Sequence, residues 1–551
     1  MLKQLFVWLP YYLKSHSGMP SLADITLKEI SAGLDARQFT CVDLVRAYLA
    51  RTKEVNNDFH IIIETNPDAL SIAAELDAEI SRTGRRGPLH GVPIYVKDNI
   101  GTGDKMNVTA GSFALLKSRP PKESAVSQSL RRAGAIILGK ANMCEWANIR
   151  SSNASHGWSA RGGQLKGIYC EDQNPQGSSG GPAVATALGL AFAALGTETE
   201  GSLVCPAEKN NVVTIRPTVG LVSRSGTVPI SRRQDTIGPL ARTVEDAAQI
   251  LQAIAGRDSD DGFTDQIPFD DIPNYTSGLT SSIANFRIGI PRNAFDVHDS
   301  VLQSFEHALK LLKGNGAAIV DNANFTGIEE YRNLDPWLQD VVLFTDFKYS
   351  LNEYFSMLVE NPNNIYNMAD LIKYTKTCEA EEYPRFNVEE FETAQGTKDP
   401  DDPTYQEGLE KEAYYGGEGS ILGALDKANL DALIFPTAAK MPLRFAAIKG
   451  LPLVTVPLGA YPDGTEVKRN RKDNFIDIGP NVPYCITIVG RAFSEVTLIK
   501  VAYAVEQLTQ ARNTIRSIVS PTTEIADVVQ NRAEALQTQG QMRFTGRELK
   551  V

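Results

Sequence analysis

The sequence predicts an α/β fold: a single large domain with a mixed, mainly parallel β-sheet covered by helices on both faces. Three observations predict it. Short apolar runs of strand length, such as Val92–Val96, Leu190–Gly196 and Cys485–Val489, alternate with amphipathic helical stretches. These runs are mostly apolar, the texture of strands covered on both sides. The 551 residues, 42% hydrophobic and 22% charged, suffice for one large α/β unit with insertions.

Each element follows from local pattern. Leu22–Thr52 carries two amphipathic helices joined at Gly33, with Val42, Leu44, Val45, Tyr48 and Leu49 on the apolar face of the second. Pro67–Thr83 is a further helix. Val92–Val96 is a strand, Ala125–Arg132 a helix and Ala135–Leu138 a strand. Gly134–Lys140 (GAIILGK) mimics a phosphate loop, but Ala141 stands where Ser or Thr is needed. Its apolar interior is a buried strand, without the free N–H groups of a phosphate cradle, so we reject that reading.

Pro182–Leu188 is a helix with Pro182 in its first turn and Gly189 at its end. Leu190–Gly196 is a buried strand and Leu203–Asn210 a helix. Val244–Ala255 is a helix with Thr243 as N-cap and Gly256 closing it. Arg257–Thr276, polar with two prolines, is a loop. Phe286–Pro291 is a strand, Ser300–Lys313 a helix and Ala317–Asp321 a strand. Trp337–Glu418, rich in aromatic and acidic residues, is a largely helical insertion. Leu433–Pro436, Leu453–Pro457 and Cys485–Val489 return to buried strands. Glu495–Thr509 is a long helix, and the chain after about Ser517 is polar and peripheral.

Composition narrows the function. A formal net charge of -11 repels phosphate backbones and argues against nucleic-acid binding. The six cysteines, Cys41, Cys144, Cys170, Cys205, Cys378 and Cys485, form no C-x-x-C pair, which argues against a zinc site or a disulfide framework. No metal or cofactor is expected. The longest mostly apolar run, Val184–Leu195, is too short to span a bilayer. An apolar patch in the first 16 residues is interrupted by Pro10 and lacks a small-x-small cleavage site, so a targeting segment is weakly supported and the cytoplasm is the favoured compartment.

Three stretches carry possible chemistry: Gly91–Ile100 (GVPIYVKDNI), Asn174–Pro182 (NPQGSSGGP) and Leu195–Ala207 (LGTETEGSLVCPA). Each sets a proton carrier or nucleophile near glycines: Lys97, Ser178 and Ser202. No histidine is placed to activate either serine, and a lysine is available. As a base near neutral pH, Lys97 needs a pKa about three units below its ordinary value, which burial can supply. Alternatively Lys97 pairs with Asp98 and stays charged. Gly177–Gly181 also reads as a flexible turn or a phosphate nest. Ser202 follows Gly201 at a strand end ahead of a helix, where backbone N–H groups can converge on an oxyanion. The serines lie 24 residues apart, as 202 − 178. The helix and strand between them can return both loops to one sheet edge. His90 and His156 could each contact substrate, but the proton chain does not require them and they read as structural.

These motifs resemble the amidase signature family: HGVPIYVKDNI at His90–Ile100, GSSGG at Gly177–Gly181 and GTETEGS at Gly196–Ser202. RPTVGLVS at Arg216–Ser223, QDTIGPLART at Gln234–Thr243 and VGRAFSEVTLIKVAYAVEQ at Val489–Gln507 continue the likeness. NMCEWAN at Asn142–Asn148 and GWSARGGQ at Gly157–Gln164 resemble the branch of peptide amidases and fungal amidases. The likeness covers about residues 22–515.

The resemblance implies the amidase signature fold and an amidase. Its substrate is a small-molecule or peptide amide with a linear carboxamide, cleaved to an acid and ammonia or an amine. It implies a Ser-Ser-Lys triad in which Ser202 is the nucleophile, Ser178 the bridge on a cis peptide and Lys97 the neutral base. It further implies backbone N–H groups of Thr199, Glu200, Gly201 and Ser202 as oxyanion hole, and Ser179 and Asp235 in support. The expected organisation is an N-terminal tail at 1–21, an amidase domain at 22–520 and a C-terminal tail at 521–551. Within the domain lie N-terminal helices at 22–90, a catalytic core at 91–290, a helical insertion at 330–425 and C-terminal core strands and helix at 430–515.

Departures from the family pattern bear on substrate. Glu200 stands where glycine is common; its carboxylate must point away from the oxyanion or select cationic or neutral substrates. Val204 replaces an arginine and favours a neutral or hydrophobic substrate. Asn211 and Thr214 replace glycines, and Thr214 tolerates positive φ poorly. Two alternatives stand beside the hydrolase: an amidotransferase-type subunit that generates ammonia, and a catalytically weak relative acting as a binding protein. Monomer and homodimer are both open.

Overall fold

A computed structural model describes residues 18–545. Most of the expected tail at 1–21, with the question of a targeting segment, lies outside the described residues. Among those described, eleven strands form one sheet. They are β1 (Ile62–Thr65), β2 (Pro93–Lys97), β3 (Ile136–Ala141), β4 (Ala193–Glu198), β5 (Val213–Arg216), β6 (Thr236–Ala241), β7 (Arg287–Gly289), β8 (Ala318–Val320), β9 (Ala432–Pro436), β10 (Leu453–Ala460) and β11 (Pro483–Val489). Their spatial order is β1-β3-β2-β4-β6-β5-β10-β11-β9-β7-β8.

The sheet is mixed, as predicted, but not mainly parallel. Four pairings are parallel (β3 with β2, β2 with β4, β9 with β7, β7 with β8). Six are antiparallel. The expectation of parallel strands rested on the alternation of helices and strands along the chain. Here β2, β3, β4, β6, β9 and β11 are buried along their whole length because helices cover the sheet, whatever the direction of the neighbouring strand. Helices Gly180–Ala187 and Val204–Lys209 pack on the sheet and on each other, while Val244–Ile254, Asp299–Gly314 and Glu495–Thr509 form a second packed group. The apolar core runs between these groups and the sheet.

The N-terminal helices differ from expectation in where they join. They span Leu27–Asp35 and Cys41–Phe59, and Gly33 lies inside the first. The second start is set by a capping box: Thr40 Oγ1 accepts from Asp43 N at 3.1 Å, and Asp43 Oδ2 accepts from Thr40 N at 2.9 Å. Gly33 serves a close approach instead, since a Cβ there would sit 2.1 Å from the Phe39 ring.

The peripheral C-terminal segment is tied down more firmly than its polarity suggests. Helix Ile525–Thr545 follows a turn whose Thr522 and Thr523 N–H groups donate to Glu54 at 2.6 and 2.9 Å. Buried Arg51 donates to Thr523 O at 2.8 Å and to Leu188 O at 2.8 Å, linking this segment to the core.

The insertion is helical, with Pro336–Met357, Met368–Thr377, Glu389–Gly396 and Pro403–Tyr415. It shares an aromatic cluster with the core, where Trp146 meets Phe391 edge-on at 5.9 Å between ring centroids. Buried Arg150 completes the junction, donating to Glu145 and, at 3.0 Å, to Glu381. No helix of the described residues is long and apolar enough to cross a membrane.

Candidate active site

Parallel neighbours β2 and β4 end at one sheet edge, with Lys97 the last residue of β2 and Glu198 the last of β4. Helix Gly180–Ala187 packs against both, which sets Ser178 and Ser179, just before its start, over that edge. Two hydrogen bonds stitch the loops together. Ser179 N donates to Ser202 O at 3.1 Å, and Ser179 Oγ donates to Thr197 O at 3.0 Å.

Lys97 is fully buried. Its Nζ lies 2.7 Å from Ser178 Oγ, 3.1 Å from Thr197 O and 2.9 Å from Thr197 Oγ1. A neutral amine has two N–H donors and one lone pair. The two Thr197 oxygens can take the donors, which leaves the lone pair for the Ser178 hydroxyl proton. Burial pulls Lys97 from its ordinary value down to about 7, against the opposing attraction of Cys144, Glu198 and Asp235. Among the described residues Lys97 makes no ion pair with Asp98. That carboxylate instead accepts from Thr109 Oγ1 and Gly111 N and lies 3.8 Å from Arg161.

Ser178 is buried, follows a cis peptide bond from Gly177, and accepts from Cys144 N at its carbonyl, 3.1 Å away. Ser202 lies nearer the surface at 8% exposure. Its backbone is joined to Ser179, but among the described residues no hydrogen bond links its hydroxyl to that of Ser178.

The turn from Thr199 to Ser202 is shaped by Gly201, at φ 71°, a left-handed conformation that favours glycine. Glu198 anchors the start of the next helix, Val204–Lys209. Its carboxylate accepts from Leu203 N at 2.6 Å and Val204 N at 3.0 Å, and pairs with buried Arg216 at 3.0 Å. Asp235 braces the other side, accepting from Thr199 Oγ1 at 2.6 Å, Ile230 N at 2.7 Å and Ser231 N at 3.1 Å. Burial pushes its carboxyl above the ordinary range, and these three donors oppose that push.

The Glu200 side chain turns outward and is held by Arg444, from helix Lys440–Lys449. Val204 is wholly buried against the second apolar cluster. Thr214 needs no left-handed backbone: it lies in β5, and its hydroxyl donates to Pro239 O at 2.8 Å. Asn211 does adopt the left-handed region, at φ 56°, which asparagine tolerates. His90 is buried with Nδ1 accepting from Arg86 N at 3.2 Å, and His156 pairs with Asp473 at 2.7 Å. Both engage the scaffold. All six cysteines are free thiols. Among the described residues no group of three His, Cys, Asp or Glu side chains is arranged to hold a metal ion.

Sequence reasoning passed over Thr197, Glu198, Arg216 and Arg444. The first two sit within GTETEGS and could have been weighed there; Arg216 opens RPTVGLVS. Arg444 lies 244 residues from Glu200 with no motif to mark it.

The fold joins this strand-edge site to relatives of known class. The amidase family profile, described as Amidase, matches residues 43–499. A protein of Arthroderma benhamiae, provisionally named an amidase, is 41% identical over 538 residues, covering 93% of this chain and 90% of that one. The solved structure of native peptide amidase from Stenotrophomonas maltophilia superposes with a TM-score of 0.79 at 35% identity, covering 91% of this chain and 99% of that one. A glutamyl-tRNA(Gln) amidotransferase subunit from Chloroflexus aurantiacus is 38% identical, over 55% of this chain and 61% of its own length. The class so defined is a hydrolase acting on carbon–nitrogen bonds in amides. The chain belongs to the amidase family.

Proposed function

We propose that the chain hydrolyses linear carboxamides through an acyl-enzyme, with Ser202 as nucleophile, Ser178 as proton bridge and Lys97 as base. The observation that carries this reading is the Lys97–Ser178 contact of 2.7 Å, made by a fully buried lysine whose pKa lies near 7. Ser202 Oγ attacks the carbonyl carbon while its proton passes to Ser178 Oγ. The Ser178 proton passes to Lys97 Nζ. Backbone N–H groups at Thr199, Glu200, Gly201 and Ser202 face the developing oxyanion, with Asp235 and Ser179 holding their loop. The C–N bond then breaks, and the leaving nitrogen takes a proton back along the chain to depart as ammonia or an amine. Water attacks the Ser202 ester, gives its proton to the same relay and releases the acid. In this reading 91–290 is the catalytic core, and the Trp337–Glu418 insertion and the loop around Asp258–Asn274 contact the acyl side of the substrate.

Sequence identity supports hydrolysis over ammonia supply to a transfer-RNA partner. The amidase-named relative is 41% identical over 93% of the chain, whereas an amidotransferase subunit that aligns over 88% of the chain is 29% identical. The name of the peptide amidase suggests peptide amides as the class to test first. Ammonia release is measured from acetamide, benzamide, amino-acid amides and C-terminal peptide amides. Wild type is expected to hydrolyse members of this panel, and Ser202→Ala and Lys97→Ala to lose that activity. An active wild type matched by both variants defeats the mechanism.

A further inference from the structure

Arg444 gathers four groups from three separate parts of the chain. Its guanidinium donates to Glu200 in the loop before Ser202. It also donates to Gln339 O and, at 2.7 Å, to Asp340 Oδ1 on helix Pro336–Met357, and through Nε to Tyr331 at 3.0 Å. The arginine side chain is 13% exposed and that of Glu200 34%, so the pair is shielded only in part. Helix Lys440–Lys449, which carries Arg444, has apolar residues on its inner face (Leu443, Phe445, Ala446 and Ala447 are buried), which fixes the base of the arginine.

The charge of Glu200 poses a specific problem for the reaction. Its Cα lies within roughly 7 Å of that of Ser202, two residues on. An unpaired carboxylate there opposes the negative charge that develops on the substrate oxygen, since water screens this partly exposed position only in part. We propose that Arg444 is a positioning residue for the reaction. It neutralises Glu200 and turns its carboxylate away from the oxyanion loop, while Gln339 and Asp340 couple that loop to the helical insertion. This inference rests on the reading of Thr199–Ser202 as the oxyanion loop. Arg444 touches no reacting atom; it acts through Glu200.

A double-mutant cycle tests it, using the full chain and a neutral N-acylated amino-acid amide as substrate. In the wild-type background R444M lowers kcat about tenfold or more with a smaller change in KM, because charge develops only in the transition state. In the E200Q background the same R444M change costs less than about threefold, since no carboxylate is left to neutralise. R444K, which keeps the charge but not the fork to Asp340 and Gln339, retains more kcat than R444M and guards against a folding defect in the latter. An equal loss in both backgrounds, or equal losses for R444K and R444M, overturns the inference. Ser202→Ala run alongside separates the two levels. If it is inactive and the cycle shows no coupling, only the role of Arg444 falls; if it is as active as wild type, the oxyanion-loop reading falls first.

Discussion

Replacing Lys97 with methionine should remove activity and change how stability depends on pH. Lys97 is fully buried, and burial lowers its pKa from 10.5 to about 7. The gap of 10.5 − 7 = 3.5 units corresponds to about 5 kcal/mol at most, held as destabilisation below neutral pH. The sign follows from proton counts. Between the two values the unfolded chain holds a proton that the folded chain has shed, so wild-type stability rises with pH through this window and the effect is complete above the unfolded value. Methionine fills a similar volume and does not titrate. It leaves Ser178 Oγ and the Thr197 oxygens without their Nζ partner, at a cost of about 1–3 kcal/mol that does not vary with pH. Lys97→Met is therefore more stable than wild type near pH 7, and its advantage shrinks by about 2 kcal/mol by about pH 9. Urea unfolding of both proteins at the two pH values reads this difference. A gap between variant and wild type that stays constant with pH refutes a buried neutral amine.

Two further outcomes follow from the same geometry. The rate constant kcat/KM should rise about tenfold per pH unit below an inflection near 7 and level off above it, because protonated Lys97 has no lone pair for the Ser178 proton; a flat profile across neutral pH contradicts this. Glu198→Gln leaves buried Arg216 without its carboxylate and weakens the cap on helix Val204–Lys209, so it should cost about 3 kcal/mol in urea unfolding. A loss under about 0.5 kcal/mol, within the range of an ordinary surface change, removes Glu198 as the anchor of the loop.

The sequence made the elements legible where periodicity and caps were strong. Helix Glu495–Thr509 has the predicted bounds, and helix Ala125–Arg132 does too. Strand direction was not legible, because β10 and β11 both read as buried strands and nothing in their composition shows that they run antiparallel. Strands β5 and β6 escaped notice: polar Thr214, Arg216 and Thr236 lie inside them, and Thr214 and Arg216 find buried partners only after folding. The helix break at 36–40 was misplaced because Gly33 drew more weight than the Thr40–Asp43 cap. At the site, the candidates Lys97, Ser178 and Ser202 were found from their glycine settings and spacing. The orientation of Glu200 was not accessible, since it depends on Arg444, which only tertiary structure brings near.

The central claim is that Ser202 becomes acylated. The direct measurement is intact mass and peptide mapping after rapid quenching of the enzyme with a substrate that it acylates fast and releases slowly. The account predicts a mass increase equal to the acyl group, mapped to the peptide containing Ser202, present in wild type and lost in Ser202→Ala. Turnover with no adduct under any quench time, or an adduct mapped to another residue, contradicts it.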